Sequence, residues 1–331
     1  MIEPVAVSMG DPAGIGPEII AKAWDARNDA RLPAFFAVGD PRAVERVWPG
    51  PISLIESPAE AAALCGTALP VLNVHDAGDI MPGKPDVDGA RCTLQSLEMA
   101  VGLARSGAAG ALVTGPISKA QLYQIGFTYP GQTEFVAERC GIARENAVMM
   151  LAGPDLRVVP MTTHVPLADV PSLLTIELIV ARGRATARGL ARNFGIENPR
   201  LAFAGFNPHA GEQGMIGREE MELIAPAIEQ LASEGITASG PFAADTLFYP
   251  RARARYDAVL CCYHDQALIP IKTLYFDEGV NITLGLPIVR TSPDHGTAFD
   301  IAGKGLAHPG AMIAAIRMAA HAAEHRLTSG A

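Results

Sequence analysis

The feature that most constrains this fold is the regular alternation of short apolar runs with longer stretches of helical periodicity. The apolar runs are four to six residues long, nearly continuous in hydrophobic side chains, and bounded by Gly, Pro or Asp. Runs of this kind are typical of strands that are buried on both faces. They lie at Val5–Met9, Ala34–Val38, Ile52–Ile55, Val71–Val74, Gly110–Thr114, Leu201–Phe206 and Ala258–Tyr263.

Between these runs, apolar residues recur three or four positions apart, which is the period of an amphipathic helix. Strands that alternate with helices predict an α/β architecture, with a mostly parallel sheet and the helices outside it. A length of 331 residues is long for one domain and sufficient for two. Helices are predicted at Pro17–Ala26, Thr93–Arg105, Glu177–Phe194, Arg218–Ser233 and Ala311–Arg326.

Two further predicted strands, Ala147–Leu151 and Val158–Thr162, depart from this alternation. A short link containing Ala152-Gly153-Pro154-Asp155 joins them. Because a parallel crossover needs a much longer connection, the link predicts an antiparallel hairpin or arm. The hairpin is interpreted equally well as the edge of a sheet or as an element of a dimer interface.

The composition excludes several classes of function. Hydrophobic residues make up 49% and charged residues 18%, as expected for a chain with a full core, and the net charge is −9. Because no long basic run is present, a nucleic-acid surface is not expected. The sequence has neither a run of ~18 apolar residues nor the pattern of a signal peptide. Five cysteines without a CxxC pair predict reduced thiols in a cytoplasmic protein.

Two segments follow predicted strands, where ligands gather in open α/β sheets. Gly10–Glu18 opens a helix, and its three glycines permit either a tight turn or a close approach to a ligand. In Thr114–Lys119, the side chains of Ser118 and Lys119 are either anion contacts or ordinary exposed loop residues.

A third segment, Tyr129–Glu134, combines a Pro-Gly turn with polar residues at the start of a helix. Thr133 is predicted to cap this helix. Capping alone would explain the segment, and Gln132 and Thr133 are also suited to donate hydrogen bonds to an anion.

Histidines occupy three matched positions: His164, His209 and His264 each lie just past the end of a predicted strand. One histidine at such a place is usually structural, but three at three strand ends suggest a metal site. Three neutral imidazoles leave open positions on a divalent metal, where a substrate hydroxyl can bind. Asp245 and Asp265 are candidates to accept from the imidazole N–H groups or to act as a base.

Two more segments contain polar residues that suggest ligand binding. Lys272, Asn281 and Arg290 are spread through largely apolar sequence, so they need partners if they are buried. An anionic substrate is the preferred partner, and intramolecular salt bridges are the alternative. The segment His295–Gly305 is rich in glycine, and Asp300 within it is suited to accept from ribose hydroxyls, although an ordinary surface loop has similar composition.

Together these segments resemble a known family. GDPAGIGPE and HGTAFDIAGKG are similar to the N-terminal turn and cofactor loop of the isocitrate and isopropylmalate dehydrogenase superfamily. The resemblance narrows to the 4-hydroxythreonine-4-phosphate dehydrogenase family of vitamin B6 (pyridoxine) biosynthesis through TGPISK, TTHVPL, GFNPHAGE, CYHDQALIPIK and GVNITLGLPIVRTSPDHGTAFDIAG. It covers the chain from Val5 to about Met318.

The resemblance implies two α/β/α domains around a central cleft, in a homodimer whose active site lies at the subunit interface. We expect one domain to comprise residues 1–125 and 270–331 and to carry the N-terminal turn and the cofactor loop. The other domain, residues 126–269, would carry the metal ligands and the dimer interface.

The implied activity is the oxidation of 4-phosphooxy-L-threonine at C3, dependent on NAD or NADP and on a divalent metal. The β-keto acid product loses carbon dioxide to give 3-amino-2-oxopropyl phosphate, in pyridoxal phosphate biosynthesis. Zinc is the expected metal, with magnesium or cobalt as alternatives. It would be bound by His164, His209 and His264, with ligands shared between subunits.

The resemblance also assigns the remaining site residues. The substrate would be contacted by Gln132, Thr133, Lys272, Asn281 and Arg290. For the mechanism, Asp245 and Lys272 are the two candidate proton carriers, and the sequence does not choose between them. The adenosine half of NAD(P) would be bound by His295, Gly296, Thr297, Ala298, Asp300 and Gly303. The family has His-Thr where this chain has Gln132-Thr133, and glutamine keeps a neutral donor but loses the titratable ring.

Three alternative functions stay open. A paralogue would perform the same chemistry on threonate or erythronate 4-phosphate or on a cyclic dihydrodiol, and a substrate panel distinguishes these. A phosphotransacetylase-like acyltransferase would share a related two-domain architecture but would not bind NAD or NADP. A non-catalytic ligand-binding protein would require the three matched histidines to be accidental.

Overall fold

The computed structural model describes residues 2–329, and these form two compact units. The first unit comprises residues 2–144 and 286–329, and the second comprises residues 145–285. Both observed boundaries therefore lie some 15 to 20 residues beyond the expected ones near 125 and 270.

Local contacts explain both shifts in the boundaries. The stretch after residue 125 stays with the first unit because Arg139 forms an ion pair with Glu98 there. The stretch after residue 270 stays with the second unit because Val280–Leu284 pairs with Val148–Ala152 along its whole length.

The strands of the first unit follow the order β3-β4-β2-β1-β5-β12, and their pairings are parallel. Every residue of β1 and β2 is buried, as predicted for strands covered on both faces. The strands are β1 (Val5–Ser8), β2 (Phe35–Val38), β3 (Ile52–Ile55), β4 (Leu69–Leu72), β5 (Leu112–Thr114) and β12 (Arg290–Pro293). The helices are α1 (Gly16–Asp25), α2 (Pro41–Glu45), α3 (Pro58–Leu64), α4 (Val87–Ser106), α5 (Lys119–Gln124), α6 (Gln132–Arg139) and α12 (Gly310–Thr328).

The longest helices of the first unit cover its central strands. Helix α4 begins after Asp86, whose carboxylate accepts a hydrogen bond from Gly89 N at 2.7 Å. It ends at Gly107, which adopts the left-handed conformation (φ +78°) that commonly terminates helices. Both α4 and α12 pack against β1 and β5, so the centre of the sheet forms the core of this unit.

The strands of the second unit follow the order β11-β6-β7-β10-β8-β9. Strands β7, β10, β8 and β9 are parallel to one another. Strand β6 is antiparallel to both of its neighbours, β11 and β7. The strands are β6 (Val148–Ala152), β7 (Arg157–Pro160), β8 (Leu201–Ala204), β9 (Ala238–Phe242), β10 (Ala258–Cys261) and β11 (Val280–Leu284). The helices are α7 (Val170–Leu173), α8 (Ile176–Phe194), α9 (Ala225–Ser233), α10 (Pro250–Arg253) and α11 (His264–Tyr275).

The hairpin formed by β6 and β7 is antiparallel, as predicted, but it does not lie at a sheet edge. Strand β6 also pairs with β11, and β7 also pairs with β10, so both strands have neighbours on both sides. The edge interpretation is therefore wrong. The error arises because the sequence pattern did not identify β11, the strand that pairs with the outer side of β6, as a strand.

The predicted α/β class with mostly parallel strands is confirmed. The predicted helix Arg218–Ser233 is present from Glu220 as a single wide turn, Glu220–Ile224, followed by α9. All five cysteines are free thiols. Within residues 2–329, no helix combines the length and apolarity that a membrane span requires.

Candidate functional site

The guanidinium of Arg290 is the centre of a polar cluster in the first unit. Arg290 begins β12 and is only 3% exposed. Its Nη2 donates to Thr114 Oγ1 at 2.7 Å and to Gln132 Oε1 at 3.3 Å, and its Nη1 donates to Thr133 Oγ1 at 3.3 Å. We call these four residues the arginine cluster.

Strand pairing and one helix start bring the arginine cluster together. Strand β12 pairs in parallel with β5, so Arg290 lies beside the strand that ends at Thr114. Helix α6 begins at Gln132, which places Gln132 and Thr133 in its first turn. The Gln132 side chain bridges the cluster, because its Nε2 also donates to Gly115 O at 2.9 Å.

Burial makes Arg290 suited to bind an anion. It lowers the pKa of the guanidinium to about 10, an effect that the nearby carboxylate of Glu134 partly opposes. The side chain is still cationic at neutral pH, in an environment that disfavours its charge. A phosphate or carboxylate would compensate that charge, and guanidinium binds both in bidentate geometry.

The structure changes the expected role of Thr133. Gly131, in extended conformation, precedes the first residue of α6, so Thr133 lies inside the first turn and does not cap the helix. The capping prediction is wrong because the helix begins at Gln132, two residues earlier than the Thr133 cap requires. The hydroxyl accepts from Arg290 instead.

Gln132 uses both ends of its amide within the arginine cluster. Its oxygen accepts from Arg290, and its nitrogen donates to the Gly115 carbonyl. These contacts require a neutral group that both donates and accepts, and they require no titratable ring. The replacement of histidine by glutamine at this position is therefore compatible with a binding role.

The glycines of Gly10–Glu18 allow a close approach of the chain to itself. A Cβ on Gly10 (φ +75°) would lie 2.3 Å from Pro116 O, and a Cβ on Gly16 would lie 2.1 Å from Met9 O. The tight-turn interpretation of this segment is thus sufficient to explain its glycines. Asp11 N donates to Pro116 O at 3.0 Å, which fixes the turn against the end of β5.

Asp11 carries a buried carboxyl whose protonation should affect stability. Its pKa is raised to about 6, chiefly by burial, which the N–H of Ala13 opposes and the neighbouring Asp86 reinforces. Between about pH 4 and 6 the folded chain keeps a proton that the unfolded chain releases. The contribution of Asp11 to the free energy of unfolding therefore falls as the pH rises through this window, by on the order of 2–3 kcal/mol.

We expect Asp11→Asn to remove this loss of stability, because asparagine still accepts from Ala13 N but cannot ionise. Its free energy of unfolding should exceed that of the unmodified protein by an increasing margin between about pH 4.5 and 7. Urea unfolding across that range measures the margin. The exposed Asp29→Asn variant serves as the control, and a margin that is constant with pH for Asp11→Asn would contradict the assignment.

The predicted cofactor segment, His295–Gly305, is fastened to the first unit near both ends. Ile15 N donates to Thr297 O at 3.0 Å. At the other end, Lys22 Nζ donates to Gly305 O at 2.8 Å and to Ala307 O at 2.7 Å. Within the segment Gly296, Asp300 and Gly303 are exposed, and Ala298 has a positive φ of 42°.

His295 provides one observation that fits a bound nucleotide. Its Nδ1 lies 3.1 Å from Gly296 O, an arrangement in which Nδ1 donates and Nε2 accepts. The Nε2 atom is buried and has no hydrogen-bond partner among residues 2–329. A ligand hydroxyl would satisfy it, although the cofactor role of this loop stays a prediction.

The three histidines lie at one edge of the sheet in the second unit. Strands β7, β10 and β8 are adjacent and parallel, so their carboxyl ends meet at the same edge. His164, His264 and His209 each follow one of these strands within a few residues. We call this arrangement the histidine edge.

Two members of the histidine edge are close together. The ring centroids of His164 and His264 are 5.6 Å apart. His264 Nδ1 lies 2.7 Å from Asp265 Oδ1, an arrangement that fixes the ring and its tautomer. A cavity of about 240 Å³ opens beside them, lined by Thr162, His164, Val165, Leu167, Val170, Tyr263, His264 and Asp265.

His209 lies on an unusual left-handed turn. Residues 209–213 all have positive φ, from 43° to 78°, and four of the five are not glycine. Its Nδ1 is 3.0 Å from Glu212 Oε1 within the same turn. The buried carboxylate of Glu220 accepts from the backbone N–H and the amide of Asn207 (2.7 and 3.0 Å), which anchors the start of the turn.

The donor chemistry of the histidine edge fits a divalent metal, because imidazole nitrogens are common ligands of zinc. However, no three His, Cys, Asp or Glu side chains of residues 2–329 converge as one metal-binding group. His164 and His264 are neighbours, and His209 belongs to the next strand end. The set of three ligands stays a prediction, as does the sharing of ligands between subunits.

The remaining predicted site residues are distributed over the second unit. Lys272 is half-buried on α11, and Asp245 is exposed in the turn Ala244–Thr246. Asn281 lies on β11 opposite Leu151, and its Oδ1 is buried without a hydrogen-bond partner in the described part of the chain. A ligand N–H would satisfy this oxygen, which supports a binding role for Asn281.

Thr114, a member of the arginine cluster, was not predicted from the sequence. Within Thr114–Lys119 the polar pattern pointed to Ser118 and Lys119. Ser118 instead caps α5, and Lys119 is exposed. A hydroxyl at the last position of an apolar strand is the signal in the sequence that points to Thr114.

Comparison with known proteins places the whole chain among relatives of one kind. Residues 32–319 match the model of the family described as pyridoxal phosphate biosynthetic protein PdxA. The chain is 58% identical to the 4-hydroxythreonine-4-phosphate dehydrogenase of Zymomonas mobilis, over 98% of this chain and 97% of that protein.

Solved structures give the same result. The crystal structure of 4-hydroxythreonine-4-phosphate dehydrogenase from Klebsiella pneumoniae is 36% identical, with a TM-score of 0.86 and 98% of each chain covered. The structure of a terephthalate 1,2-cis-dihydrodiol dehydrogenase from Burkholderia xenovorans is more distant. It is 30% identical, with a TM-score of 0.67, covering 97% of this chain and 98% of the other.

Proposed function

The chain belongs to the family of the pyridoxal phosphate biosynthetic protein PdxA, and we propose that it acts as a 4-hydroxythreonine-4-phosphate dehydrogenase in vitamin B6 biosynthesis. The family resemblance inferred from the sequence motifs is thereby confirmed. Relatives that share about half or more of their residues with this chain over nearly its full length bear this name.

The arginine cluster is the observation that carries the proposed substrate. A phosphorylated hydroxy amino acid presents a phosphate and a carboxylate, and a buried, cationic Arg290 is suited to bind either group. Thr114 and Thr133 fix the guanidinium in place before substrate arrives. Such preorganisation lowers the entropic cost of binding.

The proposed reaction transfers a hydride from C3 of the substrate to the nicotinamide of NAD or NADP while the C3 hydroxyl loses a proton. The resulting β-keto acid then releases carbon dioxide, and the product is 3-amino-2-oxopropyl phosphate. Lys272, which is half-buried, and Asp245, which is exposed, are the candidate proton carriers. Asn281 would orient the substrate through its otherwise unsatisfied amide oxygen.

The histidine edge is the proposed metal site. His164, His209 and His264 would hold a divalent metal, with zinc preferred and magnesium or cobalt as alternatives. When bound, such a metal acts as a Lewis acid toward the substrate hydroxyl and carbonyl oxygens. Asp265 supports this role, because its contact with His264 Nδ1 fixes the ring and its tautomer.

We extend the proposal to the cofactor, the assembly and the compartment. His295, Gly296, Thr297, Ala298, Asp300 and Gly303 would bind the adenosine half of NAD(P). A homodimer is supported by large apolar side chains that the second unit exposes, among them Leu167 (63%), Met215 (87%) and Phe276 (74%). Five free thiols suit the reducing environment of the cytoplasm.

The purified protein, supplied with zinc, magnesium or cobalt, should reduce NAD or NADP when 4-hydroxythreonine 4-phosphate is added. NADH or NADPH absorbance measures the reaction, and mass spectrometry identifies the aminoketone phosphate. A panel containing threonate 4-phosphate, erythronate 4-phosphate and a terephthalate cis-dihydrodiol provides the comparison. Reduction with another member of the panel but not with 4-hydroxythreonine 4-phosphate would contradict the proposed substrate.

A further inference from the structure

Two buried side chains, Thr162 and Gln266, connect the strand ends of the histidine edge beyond the point where backbone pairing stops. The last paired residues of β10 and β7 are Cys261 and Pro160, and the last backbone hydrogen bond between them runs from Met161 N to Cys261 O at 2.7 Å. Thr162 is 6% exposed and Gln266 is 9% exposed. Solvent therefore weakens the hydrogen bonds of these two side chains less than those of surface residues.

The contacts of these side chains converge on one residue, Cys262. Thr162 Oγ1 donates to Cys262 O at 2.8 Å. Cys262 N donates to Gln266 Oε1 at 2.7 Å, and Gln266 Nε2 donates to Gly205 O at 2.8 Å. The exit of β10 is thus joined to the exits of β7 and β8 by side chains that replace the missing ladder bonds.

Each of the three connected exits carries a histidine of the edge. Thr162, Cys262 and Gly205 precede His164, His264 and His209 by two to four residues. A shift in any one exit would therefore move an imidazole relative to the other two. Metal sites tolerate little such movement, because ligand distances must hold to within about 0.2 Å.

We propose that Thr162 and Gln266 are positioning residues for the metal-binding histidines. The proposal rests on the metal site of the proposed function. Neither side chain touches a ligand in this role; each sets the spacing of the loops that carry the ligands. Groups that orient metal ligands typically contribute 10- to 100-fold in metal affinity, and we expect an effect of that size.

The test titrates the metal-stripped, full-length protein with Co²⁺ and follows the cobalt absorption bands, which report both affinity and coordination geometry. Thr162→Val removes only the hydroxyl and should weaken Co²⁺ binding about 10- to 100-fold. Thr162→Ser restores the donor and should bind within about threefold of the unmodified protein. The rescue separates the hydrogen bond from the packing of the side chain.

Thr186→Val is the matched control for a general loss of stability. Thr186 is fully buried in α8, and its hydroxyl donates to Arg182 O at the same distance of 2.8 Å. Thr186→Val should lower the melting temperature of the metal-free protein about as much as Thr162→Val does, and should leave Co²⁺ affinity unchanged.

Gln266→Met tests the second connection with a side chain of similar shape and no hydrogen bonds. It should weaken Co²⁺ binding by a similar factor and shift the cobalt bands. If Thr162→Val and Gln266→Met both bind Co²⁺ as the unmodified protein does, while His164→Ala and His264→Ala lose binding, the positioning inference is wrong and the metal site stands. If the histidine variants also keep full affinity, the metal site itself is wrong and this inference falls with it.

Discussion

Replacing Arg290 with methionine is expected to raise the KM for 4-hydroxythreonine 4-phosphate by on the order of 100- to 1000-fold. Removing one partner from a buried, hydrogen-bonded charge pair typically costs about 2–5 kcal/mol, and each 1.4 kcal/mol corresponds to a tenfold change. The expected change corresponds to about 3–4 kcal/mol, the middle of that range. Arg290 is almost fully buried, and three neighbouring side chains hold its guanidinium in place.

The same substitution should cost little stability. Burial penalises the charged guanidinium, as the lowered pKa of Arg290 shows, so an apolar side chain of similar length removes that penalty. Methionine is flexible enough to fill the vacated space. Steady-state kinetics together with urea unfolding therefore distinguishes a binding role from a structural one.

Two further variants separate the effect of the Arg290 charge from that of its geometry and provide a control. Arg290→Lys keeps a positive charge but loses the planar fork, and should give an intermediate KM. Arg157→Met is the matched control, because burial lowers the pKa of Arg157 as well, while its guanidinium contacts Asp257 O and the Phe194 ring in the second unit. A KM for Arg290→Met equal to that of Arg157→Met would show that Arg290 does not bind the substrate.

The fold class was predictable because its strands are buried on both faces. In β1, β2, β8 and β10 nearly every residue is apolar, so the run itself marks the strand. Asp86 and Gly107 mark the ends of α4 in the same local way, through capping and left-handed backbone. Such signals depend on a few neighbouring residues and are readable without tertiary structure.

Three strands were not predicted, because their own sequences lack a continuous apolar run. Strand β9 has no buried position, β11 follows Gly279 and carries Asn281 at its second position, and β12 is the polar sequence Arg290–Pro293. All three are defined by pairing with distant strands, not by their own composition. The misplacement of the β6–β7 hairpin at a sheet edge followed directly from missing β11.

The candidate site divides in the same way. The positions of the three histidines past strand ends could be inferred locally, and parallel pairing then brings those ends to one edge. The arginine cluster could not be inferred from spacing, because Thr133 and Arg290 are 157 residues apart and meet only through β5, β12 and α6. Gln132 and Thr133 in one segment and Arg290 in another were proposed as ligand contacts, and Thr114 was not.

The left-handed turn that carries His209 was also beyond local inference. The turn holds four non-glycine residues at positive φ, and this left-handed conformation costs each of them about 1–2 kcal/mol relative to the right-handed one. Only the surrounding structure, with Glu220 buried beneath Asn207, makes such a turn possible. Strain of this kind collects at functional positions, which is an independent reason to test His209 directly.

Replacing His209 should remove most of the metal affinity and with it the dehydrogenase activity. Zinc bound by four ligands is typically stabilised by about 10–16 kcal/mol, so one ligand accounts for roughly 3 kcal/mol, or about a 100-fold change in affinity. We expect His209→Ala to bind Co²⁺ or Zn²⁺ at least about 100-fold more weakly and to reduce NAD or NADP at rates near background.

The left-handed backbone at His209 requires a second variant. Alanine is strained at φ 51°, whereas asparagine is among the residues that tolerate this region best. His209→Asn therefore removes the imidazole and keeps the turn, and it should lose metal affinity as His209→Ala does but with a smaller loss of stability. His321→Ala, an exposed histidine on α12, is the matched control and should bind metal normally. Wild-type Co²⁺ affinity in His209→Asn would exclude His209 from the metal site, because the ring is the only ligand that this variant removes.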